Sequence, residues 1–249
     1  MIQDLHSHTY YSFCGKDDPE MVVQTAINGG VQLIGITDHN YGIGFCRNDV
    51  RQLDLSVLGN VYDNYALKKY YNHITLLKEK YANKINILRG IEIATTTSQP
   101  KLTLPTNVDV SFFDYALIEH IDYVDSIING NLFAYVKSLG VKHVGIAHTD
   151  IFSYIKSINE DALTYFKRMA NENIFWEMNV NYDSIYGYKQ HAYVNEFFNN
   201  EEQQRIVKES GVKLSVGFDG HKVEDYLPNR VAEYCNKIKN LGIKLVFEN

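Results

Sequence analysis

Seven short apolar runs alternate with longer amphipathic stretches along this chain, and this alternation constrains the fold more than any other feature. The runs are predicted strands: Ile2–Leu5, Leu33–Thr37, Ile85–Ile93, Tyr115–Ile118, Val144–Ala147, Phe175–Val180 and Leu214–Gly217. The stretches between them are predicted helices: Pro19–Asn28, Tyr62–Ala82, Leu132–Leu139, Glu160–Asn171, Asn195–Ser210 and Asn229–Asn240. Continuous apolar strands separated by helices are typical of a parallel sheet that is covered on both faces or closed into a barrel. The sequence therefore predicts an α/β protein.

The length of the chain limits the number of domains. At about 150 residues per domain, 249 residues allow one or two, but α/β barrels occupy this length as a single unit. We therefore expect one domain over residues 1–249. With 45% hydrophobic and 22% charged residues, the composition is that of a globular chain and excludes extensive disorder.

The charge balance and the cysteines bear on partners and compartment. With 24 Lys and Arg against 30 Asp and Glu, the net charge of −6 supplies no basic field for a phosphate backbone. No apolar run approaches the ~18 residues of a membrane span, and the N-terminus has no signal-peptide pattern. Cys14, Cys46 and Cys235 are widely spaced and odd in number, which is typical of a reducing compartment. We expect a cytoplasmic protein that binds neither membrane nor nucleic acid, and the oligomeric state stays open.

The first predicted strand closes with the sequence His6-Ser7-His8. Because strand side chains alternate between faces, the two histidines share a face, with Cα atoms about 6.6 Å apart. Two imidazoles so placed can hold one metal ion. Taken alone, the pattern fits a chance pair at a solvated strand end equally well.

Six of the seven predicted strands end in His, Glu or Asp. The ends are His6-Ser7-His8, Asp38-His39, Glu92, Glu119-His120, His148-Thr149-Asp150 and Asp219-Gly220-His221. Because the carboxyl ends of parallel barrel strands open on one face, these side chains are expected to converge there. A structural role in the core explains one or two such positions but not six. Histidine and carboxylate ligands without a second sulfur favour Zn²⁺, Mn²⁺ or Fe²⁺ over Ca²⁺ or Mg²⁺.

The candidate ligands outnumber the coordination positions of one ion. They are His6, His8, His39, Glu92, His120, His148, Asp219 and His221. Eight ligands imply two or three divalent ions, with a carboxylate such as Glu92 as a bridge. Ions about 3.5–4 Å apart stabilise an in-line displacement at phosphorus and activate water near neutral pH. The pattern therefore predicts hydrolysis of a phosphate ester.

The other histidines have a different setting. His73 lies within a predicted helix and His143 begins the fifth predicted strand, so both are interpreted as structural. His191 lies in a tyrosine-rich loop and is a candidate substrate contact. Its loop, Asn181–Val194, and the loop Asn40–Asn60 are long, and each follows the carboxyl end of a strand, where α/β proteins place their sites.

The motifs resemble those of the PHP (polymerase and histidinol phosphatase) superfamily, and within it the PHP-type histidinol-phosphate phosphatases. The resemblance rests on Asp4-Leu5-His6-Ser7-His8-Thr9, Ile36-Thr37-Asp38-His39, Gly90-Ile91-Glu92, Glu119-His120, Ala147-His148-Thr149-Asp150, Trp176-Glu177-Met178-Asn179 and Gly217-Phe218-Asp219-Gly220-His221. These motifs follow the order of the family across nearly the whole chain. The resemblance implies a distorted (βα)7 TIM-like barrel with a centre of two or three metal ions.

The resemblance also implies a role for each ligand. His6, His8, Glu92 and Asp219 would hold the first ion. Glu92 would bridge to a second ion held by His120 and His148, while His39 and His221 would hold a third. Glu92 and Asp219 are the expected catalytic residues. The Glu-Met-Asn sequence at residues 177–179 is similar to the Glu-Ile-Asn of the histidinol phosphatases.

Three departures from the family pattern concern the third ion and the substrate. The loop Ser12–Asp17 lacks the histidine that relatives often supply, so the third ion depends on Cys14, Asp17 or Asp18 and is expected to bind most weakly. Thr149-Asp150-Ile151 stands where the family tends to have Pro-Asp-Leu followed by a basic residue. The Tyr182–Tyr193 connection is also longer than usual, and the identity of the substrate stays open.

The function expected from these residues is metal-dependent hydrolysis of a small phosphomonoester, with L-histidinol phosphate as a candidate. A hydroxide that bridges two ions would attack phosphorus, and Asp219 or a metal-bound water would manage protons. Lys16, Arg47 and Lys222 are candidate phosphate contacts, although a solvated surface charge is the simpler interpretation of each. One alternative is a phosphodiesterase or exonuclease acting on nucleotides or nucleic acid, which the acidic balance disfavours. Another is a non-catalytic metal-binding domain, which the full ligand set disfavours.

Overall fold

The computed structural model describes residues 1–43, 64–96, 103–128, 130–185 and 187–248. It contains seven strands: β1 (Gln3–Asp4), β2 (Leu33–Ile36), β3 (Asn86–Ala94), β4 (Tyr115–Glu119), β5 (Val144–Ile146), β6 (Ile174–Asn179) and β7 (Leu214–Gly217). All neighbouring strands are parallel, and their order in the sheet is their order in the chain. The last strand returns to the first, since the Leu5 amide donates to the Val216 carbonyl at 2.9 Å. The sheet is thus a nearly closed barrel, and the predicted distorted (βα)7 architecture is confirmed.

Helices connect the strands around the outside of the barrel. They are α1 (Pro19–Asn28), α2 (Asn40–Ile43), α3 (Asn64–Lys80), α4 (Leu132–Leu139), α5 (Ile151–Ser157), α6 (Ala162–Asn171), α7 (Ala192–Asn199), α8 (Glu201–Ser210) and α9 (Pro228–Asn240), with a 3₁₀ turn at Val223–Asp225. Side-chain oxygens of Asp and Asn accept backbone amides at the start of α1, α4, α5, α6 and α8. Such caps satisfy amides that have no partner within a helix. Within the described ranges, no helix is both long and apolar enough to cross a membrane.

One helix prediction is wrong, and two helices, α2 and α5, were not predicted; α2 lies at the start of the predicted loop Asn40–Asn60. The predicted helix Asn195–Ser210 is two helices, α7 and α8, because Asn200 has an extended backbone and its side chain accepts the Gln203 amide. The helix α5 was not predicted, and it begins at Asp150, whose carboxylate accepts the Ser153 amide. The start of the predicted helix Tyr62–Ala82 and residues 44–60 of the predicted loop lie outside the described residues.

The barrel interior is filled on the side opposite the carboxyl ends of the strands. Leu5, Leu33, Tyr115, Leu117, Ala147, Phe175 and Val246 form this inner core. The Tyr115 hydroxyl donates to the Leu5 carbonyl at 2.6 Å. A Cβ added to Gly35 would lie 1.8 Å from that hydroxyl, so glycine makes room for the ring. A second, larger core lies between the sheet and the helices. Apolar side chains therefore fill one end of the barrel, and the end open to polar side chains is the carboxyl end of the described strands.

Candidate metal centre

All eight predicted ligands lie together at the carboxyl end of the barrel, contributed by or just after six of the seven strands. His6, His8, Glu92, Asp219 and His221 are buried, with at most 4% of their surface exposed. The convergence that the strand ends predict is therefore present. Whether each residue binds a metal stays a prediction.

The first group consists of His6, His8 and Asp219. The His6 Nε2 and His8 Nε2 atoms are 3.1 Å apart, and Asp219 Oδ1 lies 3.5 Å and 3.0 Å from them. Two ligands at about 2.0–2.1 Å from a tetrahedral Zn²⁺ are separated by roughly 3.3 Å. The three ligand atoms therefore have the mutual spacing that a single ion requires.

Glu92 lies at the centre of the cluster. Its Oε1 is 3.3 Å from His6 Nε2 and 3.0 Å from His148 Nε2. Its Oε2 is 3.4 Å from His8 Nε2 and 2.8 Å from His39 Nδ1. Burial opposes ionisation, but the His39 and His6 imidazoles hold the pKa of Glu92 well below its usual range. A carboxylate with different histidines on its two oxygens has the geometry that the predicted bridge between two ions would need.

The contact between Glu92 and His39 tests whether the site fits a metal. Glu92 Oε2 and His39 Nδ1 are both buried and 2.8 Å apart, but this contact does not have hydrogen-bond geometry and neither atom makes a hydrogen bond elsewhere. Leaving buried polar atoms without partners is costly in free energy. A divalent ion would serve as the partner of such atoms, and imidazole with carboxylate is a donor set that Zn²⁺, Mn²⁺ and Fe²⁺ accept. The residues therefore fit a divalent metal.

A second group surrounds Glu119, which the sequence places at a strand end but not among the ligands. Its Oε2 lies 2.8 Å from His120 Nδ1 and 3.8 Å from His148 Nε2. Burial and Glu92 raise the pKa of Glu119, but His39 and His120 outweigh them and lower it to about 2. The His120 and His148 rings are 5.4 Å apart. Glu119 thus adds a negative charge beside the expected second ion.

Two side chains of the Glu-Met-Asn sequence, Glu177 and Asn179, form hydrogen bonds with residues of the first group. Glu177 Oε1 accepts the His6 Nδ1 proton at 2.8 Å, which leaves Nε2 to face His8 and Asp219. Asn179 Nδ2 donates to Glu177 Oε2 and to Asp219 Oδ2, each at 3.3 Å. Carboxylates and amides in this position fix the tautomer and orientation of metal ligands. The motif therefore positions the candidate ligands His6 and Asp219.

Three of the candidate ligands have a strained backbone. His120, His148 and Asp219 have φ angles of 62°, 44° and 55°, in the left-handed region that non-glycine residues rarely adopt. Each such residue costs about 1–3 kcal/mol, and such residues cluster at functional sites. The fold therefore retains an unfavourable backbone where it aims these side chains into the cluster.

The three candidates for completing the third site have different positions. Asp17 Oδ2 accepts the Val223 amide at 2.8 Å, and Asp18 Oδ1 accepts the Glu20 amide at 2.8 Å. The Cys14 sulfur instead lies beside His8 and His221. Burial raises the pKa of the Cys14 thiol, but the His8, His39 and His221 imidazoles lower it to about 4.

A cavity of about 580 Å³ opens from this cluster to the surface. It is lined by the candidate ligands His39, Glu92, His120, His148 and Asp219, by Tyr41, Tyr123, Tyr193 and His191, and by the acidic residues Glu119, Asp122, Asp150 and Glu196. No Lys or Arg is among the described residues that line it. Lys16 and Lys222 are thus absent from the lining, and Arg47 lies outside the described residues.

The remaining histidines agree with their predicted settings. His191 lines the cavity and stacks on His148, with ring centroids 6.2 Å apart. His73 Nδ1 is 3.0 Å from the Tyr11 hydroxyl, and His143 packs against Phe247 at the opposite end of the barrel. His191 is therefore the one of these three that lines the cavity, and its contact with a substrate stays a prediction.

The PHP domain family matches residues 4–243, nearly the whole chain. The chain belongs to the PHP domain family. The match confirms the resemblance of this PHP protein seen in the sequence. Among curated proteins, none matches it in sequence.

Solved structures share the fold of this PHP protein at low sequence identity. The histidinol phosphate phosphatase of Lactococcus lactis subsp. lactis, solved with zinc, L-histidinol and phosphate, is 15% identical with a TM-score of 0.54. That comparison covers 98% of this chain and 95% of the other. A putative histidinol phosphatase of Listeria monocytogenes is 14% identical with a TM-score of 0.51, over 90% of this chain and 96% of the other.

Proposed function

We propose that this PHP protein is a metal-dependent phosphomonoesterase. The observation that carries the proposal is the Glu92 carboxylate, which has four imidazole nitrogens within 3.4 Å in a buried cluster at the mouth of the barrel. In the proposed assignment, His6, His8, Glu92 and Asp219 hold one ion, and Glu92, His120 and His148 hold a second. His39 and His221 hold a third.

Bound divalent ions activate water near neutral pH and neutralise charge on phosphoryl oxygens. The residues of the chain supply the rest of the chemistry. Glu177 keeps a proton on His6 Nδ1, and Asn179 holds Asp219 Oδ2 so that Oδ1 faces the cluster. Burial raises the pKa of Asp219, but the His6 and His221 charges hold it well below the usual range. Asp219 is therefore an ionised carboxylate at the cavity wall, as a metal ligand must be.

The walls of the cavity favour one class of phosphate ester. The described lining offers no cation to a second phosphate, whereas Asp122, Asp150 and Glu196 are acidic. Tyrosine rings and His191 supply flat surfaces for an aromatic or imidazole group. A small phosphomonoester with a positive charge away from the phosphate suits such walls, and a polyanionic nucleic acid does not. L-Histidinol phosphate, with an amine and an imidazole, is the first substrate to test, and the Lactococcus relative holds its product, L-histidinol.

The test is a screen for phosphate release by the metal-loaded protein. The substrates are L-histidinol phosphate, small phosphomonoesters whose alcohol part is uncharged (called neutral monoesters below), a phosphodiester and single-stranded DNA. Chelator-treated protein is assayed in parallel. We expect metal-dependent release from monoesters, fastest from L-histidinol phosphate. Faster cleavage of the diester or DNA would replace the proposal with the phosphodiesterase alternative. Metal binding without any cleavage would favour a non-catalytic domain.

The acidic wall has its own test. Glu196→Gln removes an exposed charge from the cavity wall, away from the proposed ligands. We expect a higher KM for L-histidinol phosphate and an unchanged KM for a neutral monoester. Glu79→Gln, which removes an exposed glutamate on α3, is the matched control. Equal effects on both substrates would show that the wall does not select a cation.

A further inference from the structure

The loop that carries Cys14 is held in one conformation by its own backbone contacts. The Ser12 amide donates to the Thr9 carbonyl and the Tyr10 amide donates to the Asp17 carbonyl, both at 2.9 Å. The Lys16 amide donates to the His221 carbonyl at 2.9 Å. A Cβ added to Gly15 would lie 2.1 Å from the Thr9 carbonyl oxygen, so the turn packs closely against the first strand end. The position of Cys14 is therefore fixed relative to the metal cluster.

The Cys14 sulfur lies among imidazole nitrogens. The sulfur, a nitrogen of His8 and a nitrogen of His221 are all within 4.8 Å of one another. The His8 ring stacks on both the His39 and the His221 rings, with centroids 4.6 and 4.8 Å apart. Cys14 and His39 also line the same cavity. His221 Nδ1 is 3.2 Å from Asp183 Oδ2, which leaves Nε2 to face the cluster, 3.6 Å from Asp219 Oδ1. Sulfur and two imidazoles thus meet at one point.

The neighbours of Cys14 are engaged elsewhere. The Asp17 and Asp18 carboxylates accept backbone amides of Val223 and Glu20. The Lys16 side chain is exposed. Of the three residues in this loop that the sequence offers as ligands, Cys14 alone lies among imidazole nitrogens of the cluster.

We infer that Cys14 binds the third ion as a thiolate, together with His39 and His221. The thiol proton leaves to solvent as the sulfur–metal bond forms, and no oxidation is involved. A thiolate favours borderline-soft ions such as Zn²⁺ or Co²⁺ over Mn²⁺ and Mg²⁺. This site therefore selects zinc or cobalt, in contrast to the His and carboxylate donors of the other ions. The inference rests on the proposed metal centre but not on its phosphatase activity.

Cobalt reports the sulfur ligand directly. The metal-stripped full-length protein is titrated with Co²⁺ while the near-ultraviolet absorbance is recorded, because a Co²⁺–thiolate bond gives a charge-transfer band that imidazole and carboxylate do not. We expect the band to grow in the wild-type protein with the final equivalent of cobalt. Its absence at full cobalt loading would overturn the inference.

Variants of each cysteine assign the band. Cys14→Ser and Cys14→His should both lose it, whereas Cys235→Ser, a remote buried thiol, and Cys46→Ser should keep it. Loss of a ligand should weaken the third ion at least ~10-fold in Cys14→Ser, given that supporting residues alone change affinity about 10–100-fold. Cys14→His, which replaces sulfur with imidazole, should keep the third ion and accept Mn²⁺ there. A band that persists in both Cys14 variants would overturn the inference.

The two proposals fail separately. A cobalt–thiolate band in a protein that releases no phosphate would leave the Cys14 ligand intact and remove the phosphatase. Metal-dependent phosphate release without the band would remove the Cys14 ligand and leave the phosphatase proposal intact.

Discussion

Glu92 carries the electrostatics of the centre at the scale of single residues. Among the residues that the structure describes, its carboxylate is the one negative group in contact with histidines of both the first and the second proposed ions. Burial of an unpaired carboxylate costs several kcal/mol, so the charge persists only because cations surround it. Its replacement by a neutral group of the same shape isolates that role.

Glu92→Gln should reduce kcat at least ~100-fold and lower the number of bound ions, while the fold is kept. The amide retains the volume of the side chain but cannot bridge two cations. Metal content by elemental analysis, kcat and circular dichroism measure these effects, with Glu79→Gln as the control. Near wild-type kcat in metal-loaded Glu92→Gln would refute the bridging role.

We expect Glu177 to act through His6, which it contacts, and not on the substrate. Glu177→Gln weakens the acceptor for the His6 Nδ1 proton, so metal affinity should fall about 10–100-fold. Turnover should recover at saturating metal, because no ligand is lost. A competition assay with a coloured chelator gives the affinity, and kcat against metal concentration gives the recovery. An unchanged affinity would show that the contact does not position His6.

The residue type at a strand end did not reveal which acidic side chains face the metal cluster. Asp38, Glu119 and Asp150 all follow predicted strands. Asp38 instead accepts the Thr9 and Ser12 amides, Asp150 caps α5, and Glu119 remains beside the histidines. The alternation of a strand stops where the strand stops, so direction beyond that point depends on loop hydrogen bonds that the pattern does not contain.

At the scale of elements, strands were easier to predict than helix ends. Each predicted strand agrees with the structure to within one residue at each end, because buried parallel strands are uninterrupted apolar runs. The α7–α8 break was missed because residues 195–210 are compatible with a helix throughout, and one extended residue, Asn200, divides it. The break between the two helices therefore depends on a single capping hydrogen bond.

The β3–β4 edge contains an ion pair that ties two strands together away from the site. Arg89 Nη2 donates to Asp114 Oδ1 at 2.6 Å, and the Arg89 backbone amide and Nε donate to Oδ2 at 2.9 and 3.0 Å. Burial raises the pKa of Asp114, but these donors lower it below its ordinary value overall. The pair should therefore stabilise the folded state in a pH-dependent manner.

Asp114→Asn should lower the free energy of unfolding by about 1–3 kcal/mol at pH 7. The folded-state pKa lies below the unfolded value, so the stabilisation is complete above the ordinary pKa of Asp, about 3.9, and is lost as pH falls through the folded value. Urea unfolding of wild type and variant between pH 7 and pH 3 measures the difference. A difference that stays constant down to pH 3 would contradict the role of the charge.

At the scale of the whole molecule, the barrel collects ligands from strands that are far apart in the sequence. The order of parallel strands was predictable because helical connections place successive strands side by side. The side chains that fill the barrel interior were not predictable. Their packing, on the side opposite the carboxyl ends of the strands, depends on close contacts such as that between Tyr115 and Gly35.

Stepwise removal of metal should release one ion well before the others. The proposed third ion has only His39, His221 and the loop residue Cys14, whereas the first has four ligands and the second shares Glu92 with it. Dialysis against increasing chelator, with metal counted at each step, checks the order. Release of all ions together would contradict unequal sites.

Metal should also stabilise the fold, because the proposed ligands of the first ion come from β1, β3 and β7 or from residues just after them. Binding to the native state adds RT ln(1 + [L]/Kd) to the free energy of unfolding. The Tm of the wild-type protein should therefore rise with metal, whereas a double variant His6→Ala, His8→Ala should show a smaller rise. An equal rise in both proteins would count against the first site.

The most direct test of the account is the return of activity to metal-stripped protein. Zn²⁺ or Mn²⁺ is added in counted equivalents, and phosphate release from L-histidinol phosphate and from a neutral monoester is followed. The account predicts no release without metal, and release that appears only as the second ion binds. Full release by stripped protein, or none with every site filled, would contradict it.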